Sequence, residues 1–312
     1  MTELKHYSVM LNECLEGLKV KNGGVYFDGT LGGGGHSFEI LKKSAPLGRL
    51  IATDLDDYAI FRSSERLKEF DGRFTIIKDN FKNFADYYEE YAPDGLDGVI
   101  LDLGVSSFQL DDKSRGFSYL SPNESLDMRM DGNGSLSAKT IVNEYQEEDI
   151  KRILKDYGEE KFASSIAKNI VLYRKNKKIE TVGELNDIID KSIPFKFKKD
   201  GHPSKRTFQA LRIEVNGELE NLYQTVIKLT RALKSGGRIA ILTFHSLEDR
   251  IVKRAFKELE TDCICDKSLP VCVCGKKKEI NVITAKPIVA TEEELKLNTR
   301  SKSAKLRVAE KI

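Results

Sequence analysis

Long apolar runs are missing. No stretch of this chain approaches the roughly 18 consecutive apolar residues of a membrane-spanning helix, which excludes a helical membrane anchor. The opening residues, MTELKHYSVMLNE, hold no apolar core of a secretory signal, so the expected location is the cytoplasm. Strong charge of either sign is missing too. Lys and Arg number 51 against 49 Asp and Glu, a formal net charge of +2, and any affinity for nucleic acid has to come from local basic patches. There is no internal repeat and no low-complexity segment. Cysteine is scarce outside one place. Of five, Cys263, Cys265, Cys272 and Cys274 fall within twelve residues, and Cys14 stands apart. In a reducing compartment such a cluster reads as metal ligation or redox chemistry before disulfides.

With 312 residues, 40% hydrophobic and 32% charged, the chain has the balance of a globular protein. Its length suits one large domain or two ordinary ones. GGVYFDGT (23–30) reads as a buried strand ending at Asp28, and GRLIATDLD (48–56) as a second ending at Asp54. RFTIIKDNF (73–81) and LDGVILDLG (96–104) follow as the third and fourth. Between the first two, GHSFEILKKS (35–44) spaces Phe38, Ile40 and Leu41 for a short helix with Ser37 near its start. This alternation predicts an α/β fold with an open, doubly wound parallel sheet. The pattern breaks after Gly104 and resumes at GGRIAILTF (236–244), preceded by an amphipathic helix within 217–237 that its glycines are expected to close. The polar, helical stretch 109–205 reads as a domain inserted into a discontinuous one formed by 1–108 and 206–312. HSLEDRIVKRAFKELE (245–260) opens with Ser246 and Asp249 in a capping-box arrangement. NVITAKPI (281–288) and AKLRVAE (304–310) predict a closing hairpin at one sheet edge.

The first strand runs into DGTLGGGGHS (28–37), and three ligands compete for its glycines. A nucleoside triphosphate needs a lysine directly after the loop, and none comes before Lys42. A dinucleotide needs Gly-x-Gly-x-x-Gly. Gly32 and Gly34 supply two of these, but Ser37 stands third. S-adenosylmethionine needs close backbone approach, an acid near its positive end and a second acid for the ribose hydroxyls. Asp28, the glycines and Asp54 offer all three, although Thr30 occupies the first glycine position of the usual pattern. The methyl donor fits these residues best.

Later segments carry a resemblance. DGTLGGGGHS, LDLGVSSFQLD (101–111), RGFSY (115–119), LDMRMD (126–131), YGEEKFA (157–163), RTFQALRIEVNGEL (206–219), ILTFHSLEDRIVK (241–253) and RSKSAKLRVAE (300–310) stand in collinear order over nearly the whole chain. Together they resemble the bacterial 16S ribosomal RNA (cytosine-N4)-methyltransferase family. The resemblance implies a class I methyltransferase: a Rossmann-like sheet interrupted by a helical domain that recognises RNA. It also implies methyl transfer to N4 of a decoding-centre cytosine in the small ribosomal subunit. Carried over by matching position, Gly34, Gly35 and His36 line the methionine and ribose side of the pocket. Asp54 binds ribose, Phe81 packs near adenine, and Asp102 and Gln109 flank the loop where donor and target meet. Asp28 follows from the motif logic alone. Phe81 equally suits core packing, His36 a turn, and His245 the start of a helix.

Many amino-group methyltransferases place Asp/Asn/Ser-Pro-Pro-aromatic after the fourth strand. Here the loop reads DLGVSS, which leaves Asp102 as the catalytic candidate without the rest of that motif. In the insert, KFKKDGHPSKR (196–206) carries basic residues near Phe195, Phe197 and Phe208, the composition of a phosphate-binding and base-stacking segment. CICDKSLPVCVC forms two Cys-x-Cys pairs six residues apart, tighter than the usual knuckle. A zinc site and a hairpin with free thiols both stay open. So do monomer and homodimer. Two other functions compete: a ribosome-assembly factor that uses the fold as an RNA-binding scaffold, and a nucleotide-dependent oxidoreductase.

Overall fold

The computed structural model describes residues 8–132, 134–198, 202–266 and 271–312. The chain divides into two compact units, Met1–Gly104 with Leu219–Ile312, and Val105–Glu218. In chain order the first unit begins with α1 (Leu11–Leu18), β1 (Val25–Asp28), α2 (Gly35–Lys43), β2 (Arg49–Asp54), α3 (Asp57–Leu67), β3 (Phe74–Lys78), α4 (Phe81–Tyr87) and β4 (Leu96–Asp102). The second unit contributes α5 (Ser107–Asp111), α6 (Ala138–Glu144), α7 (Glu147–Asp156), α8 (Ala163–Arg174), α9 (Val182–Ser192) and α10 (Lys205–Asn216). The first unit resumes with α11 (Leu222–Arg231), β5 (Leu233–Thr243), α12 (Ser246–Glu260), β6 (Ile280–Val282), β7 (Ile288–Val289), α13 (Glu292–Leu297) and β8 (Lys305–Lys311).

The sheet order is β3-β2-β1-β4-β5-β8-β6, with β7 also on β8. β1 to β5 run parallel, and β8 is antiparallel to β5. Successive side chains on each strand go to opposite faces. Phe27, Ile51, Val99, Leu101, Ile239 and Ile241 pack with α4, α11 and α12. Tyr26, Leu50, Ala52, Ile100, Ala240 and Leu242 pack with α1 and α2. This is the class I methyltransferase arrangement, a doubly wound sheet whose direction of winding reverses between β1 and β4.

One expectation holds and two need correction. The closing strands pair antiparallel at the sheet edge, with β6 and β7 both on β8, and β8 lies between β5 and β6. Its registers run from Arg238 opposite Glu310 to Thr243 opposite Lys305. Leu306, Val308 and Ala309 are all buried, so both of its faces are covered. The Gly236–Gly237 pair does not close α11. The helix stops at Arg231, and the glycines lie within β5, where pairing with β4 shifts register. Gly236 takes φ +77°, which suits such an irregularity. The cap of α12 sits one residue earlier than Ser246. His245 is the N-cap and Glu248 its capping-box partner, while Asp249 holds Arg307 of β8 through its Oδ1 at 2.6 Å.

The second unit is helical around its own core, with Leu126, Ile141, Leu154, Ile166, Ile189 and Leu211 all fully buried. It extends to Glu218, beyond the boundary read at 205, because Phe208, Ala210 and Leu211 of α10 are buried in the core that α6 and α7 share. Among the described residues no helix is long and apolar enough to cross a membrane.

Candidate functional site

The carboxyl ends of β1, β2 and β4 meet where the strand order reverses, the place where open α/β sheets take their ligands. The loop after β1 is tied to its neighbours one group at a time. Gly29 N donates to Ile100 O at 3.0 Å and Leu31 N to Thr53 O at 3.1 Å, extending the ladder on both sides. A Cβ on Gly29 would fall 2.4 Å from Leu101 Cδ2 and 2.8 Å from Phe81 Cβ, so no side chain fits there. Gly32 N donates to Asp54 Oδ2 at 2.7 Å. Ser63 Oγ donates to Gly32 O at 2.6 Å and Arg66 Nη1 to Gly33 O at 3.0 Å, pinning the outer turn to α3. Gly34 then caps α2 at φ +68°, a left-handed conformation that a side chain strains.

Three carboxylates stand at these strand ends in three different states. Asp28 is 2% exposed and internally committed. Its Oδ2 accepts from Ser37 Oγ at 2.6 Å and its Oδ1 from Thr30 N at 3.1 Å. Burial pushes it up to about 6 against these stabilising bonds. Asp28 is therefore a brace between β1 and α2. Asp54 accepts from Asp56 N at 2.9 Å besides Gly32 N. Burial lifts its pKa while these backbone donors oppose the rise. Asp102 differs from both. Its Oδ1 is buried with no hydrogen-bond partner among the described residues. Its Oδ2 lies 4.0 Å from His36 Nδ1, and the side chain keeps 28% exposure. Burial, with Asp28 and Glu248 nearby, raises it to about 8.

His36, on the first turn of α2, is 6% exposed. Its Nε2 lies 3.1 Å from Val9 O, which accepts the ring N–H and leaves Nδ1 on the side of Asp102. The structure thus brings together Gly34, Gly35, His36, Asp54, Phe81 and Asp102 around one loop. Phe81 opens α4 and is half-buried against the sheet core. Gln109 belongs to the second unit, where its Oε1 accepts from Ser106 N at 3.0 Å in the capping box of α5.

The profile of the MraW methylase family matches residues 3–312. The chain belongs to the MraW methylase family. A ribosomal RNA small subunit methyltransferase H of Clostridium botulinum strain Kyoto is 54% identical over 310 residues, covering 99% of this chain and 100% of the relative. A protein of Agathobacter rectalis named ribosomal RNA small subunit methyltransferase H 2 is 53% identical, covering 99% of each. The corresponding methyltransferase H of Clostridioides difficile is 52% identical over 311 residues, covering 99% and 100%.

Four residues hold the loop and its strand ends together, Thr30, Ser37, Ser63 and Arg66, of which the last two were not singled out from sequence. Thr30 Oγ1 accepts from Asp102 N at 2.6 Å, which carries the β1–β4 ladder one step past the end of β1. Ser37, Ser63 and Arg66 hold the loop as described. Thr30 had a visible signal, a hydroxyl residue where glycine is usual. Ser63 and Arg66 had none, because their partners lie 31 and 33 residues away. In the basic segment, Phe195 and Phe197 are 83% and 51% exposed, whereas Phe208 is buried at 3% in the helical core and is not available for stacking. Lys198 pairs with Asp190 at 2.7 Å. Lys199, Asp200 and Gly201 lie outside the described residues.

Proposed function

We propose that this chain transfers the methyl group of S-adenosylmethionine to the N4 amino group of a cytosine in the 16S RNA of the small ribosomal subunit. The observation that carries the donor site is the pairing of the glycine loop after β1 with two unlike acids at the ends of its two neighbouring strands, β2 and β4. Asp54 is held by backbone donors, and Asp102 has one buried oxygen without a partner among the described residues. The RNA target rests on relatives above 50% identity that are named for small-subunit RNA methylation.

In this reading Gly34, Gly35 and His36 line the methionine and ribose side, Asp54 takes the ribose hydroxyls, and Phe81 packs near adenine. The resemblance adds Gln109 to the set. The cytosine amine is a weak nucleophile because its lone pair is delocalised into the ring. Its nitrogen must be held in line with the sulfonium methyl, a positioning effect worth several kcal/mol. The N–CH3 bond forms as the S–CH3 bond breaks, S-adenosylhomocysteine leaves, and the amine loses a proton. Asp102 is the candidate acceptor, since a carboxylate with a raised pKa is a stronger base than an ordinary one. The base must be unstacked to enter such a site. The helical unit supplies RNA contacts, with exposed Phe195 and Phe197 as stacking surfaces beside Lys196. The reaction belongs to the cytoplasm, where small subunits are assembled. Light scattering distinguishes a homodimer from a monomer.

The test is to incubate the protein with unmodified small subunits and methyl-labelled donor, then map the label. Label on N4 of one 16S cytosine is the expected result. Donor binding without transfer to any small-subunit RNA favours the scaffold reading, and NAD binding in place of the methyl donor favours the oxidoreductase.

A further inference from the structure

At the base of the segment between α12 and β6, Glu279 N donates to Leu259 O at 2.8 Å. The described part of the segment has no apolar core of its own. Ile264, Val271 and Val273 are 68%, 70% and 76% exposed, so hydrophobic packing does not account for its shape. Four sulfurs nevertheless converge there. Cys263 Sγ lies 3.5 Å from Cys272 Sγ and 3.9 Å from Cys274 Sγ. Cys272 Sγ lies 3.5 Å from Cys274 Sγ and 3.9 Å from Cys265 Sγ. All four sulfurs are within 4.8 Å of one another.

These separations have a chemical meaning. A disulfide would put two of the sulfurs about 2.05 Å apart. Four sulfurs each about 2.3 Å from one central ion, at tetrahedral angles, are about 3.8 Å apart. The observed spacings bracket that value. The backbone also turns inward on the sulfurs. Cys265 N donates to Cys263 Sγ at 3.4 Å, Val273 N to Cys265 Sγ at 3.3 Å, and Ile264 N to Cys274 Sγ at 3.4 Å. Such N–H donors stabilise thiolates and orient them as ligands. Each Cys-x-Cys pair supplies two corners, so the short spacing that set this cluster apart from the usual knuckle is compatible with a closed shell.

We propose that Cys263, Cys265, Cys272 and Cys274 hold one structural zinc ion. An all-sulfur tetrahedral set selects a soft, tetrahedral ion over magnesium or calcium. Four protein ligands leave no open position, so the ion shapes the segment and takes no part in catalysis. A tetrathiolate zinc centre carries a net charge of −2, and Lys276, Lys277 and Lys278 follow it after one glycine, Gly275. The proposal is independent of the methyl-transfer reading.

Metal analysis of the full chain purified without chelator is expected to give one equivalent of zinc. Replacing zinc with cobalt is expected to give the intense visible spectrum of tetrahedral cobalt thiolate. Cys274→Ser should lose most of the metal, and Cys14→Ala, at the cysteine outside the cluster, should keep it. A thiol count keeps the idea falsifiable if Cys274→Ser fails to fold. In denaturant with chelator and no reductant, zinc ligation predicts that all five cysteines react. A count of one reactive thiol would mean two disulfides and would overturn the proposal, as would iron in place of zinc or well under half an equivalent of any metal.

Discussion

Thr30→Val tests how the strand ends are joined. The substitution keeps the β-branched shape and removes the hydroxyl that accepts from Asp102 N at 2.6 Å. β1 ends at Asp28, so no backbone carbonyl of that strand stands opposite Asp102 N, and the threonine oxygen acts in its place. Leaving a largely buried N–H without an acceptor costs about 1–3 kcal/mol. Exchanging hydroxyl for methyl returns up to about 0.8 kcal/mol of apolar burial. The net expectation is about 1–2 kcal/mol of lost stability. Thr30→Ser, which retains the oxygen, should lose much less. Urea denaturation of the three proteins reads the difference. Donor affinity should fall in Thr30→Val as well, because Asp102 loses its backbone anchor. If Val and Ser variants unfold at the same urea concentration, the threonine bridge contributes nothing and the reasoning fails.

Two further outcomes are expected. Asp102 in the free protein stands at about 8 because of burial and the nearby acids Asp28 and Glu248. Its contribution to stability is therefore full below the ordinary carboxylate range and is lost as pH rises toward about 8. A cationic sulfonium favours the ionised form, so donor affinity should climb with pH, by at most about tenfold per unit, and level off above about 8. Calorimetric titration across that range checks this, with Asp102→Asn expected to flatten the profile; a flat wild-type profile would count against the assignment. In the helical unit, Lys196→Glu and Phe195→Ala should each slow methylation of small subunits while leaving donor affinity unchanged. The charge reversal should also lower the magnitude of the salt slope of RNA binding by about 1 or more. Equal turnover on small subunits would remove this segment from the RNA-binding surface.

The parallel half of the sheet was legible because its signals are local. β1 and β2 are short apolar runs that stop at Asp28 and Asp54, and the helix between them shows its stripe directly. β8 was harder to place. Lys305, Arg307 and Glu310 give it the look of an edge strand, yet Arg307 is 6% exposed. Its burial is made tolerable by Asp249, 58 residues away, a pairing that no periodicity reveals. Gly236 was misread for a related reason. Glycine marks an irregularity, and only strand pairing shows whether that irregularity is a helix end or a bulge. At the strand ends, the glycine spacing and Asp54 could be read from short-range pattern. The role of Asp28 could not, because a motif acid looks the same whether it faces a ligand or braces Ser37 and Thr30. The Thr30–Asp102 contact spans 72 residues and exists only once the sheet is assembled.

The place of β8 also sets an order of events during synthesis. The helical unit is built from one uninterrupted stretch, Val105–Glu218, and its apolar core needs nothing translated later. The sheet unit is started first and finished last. Until Lys305–Lys311 emerges from the ribosome, β5 lacks its antiparallel neighbour and β6 has no strand to pair with. On a nascent chain, the part that begins second is therefore free to fold first, and the strands begun earliest wait for their sheet to be completed.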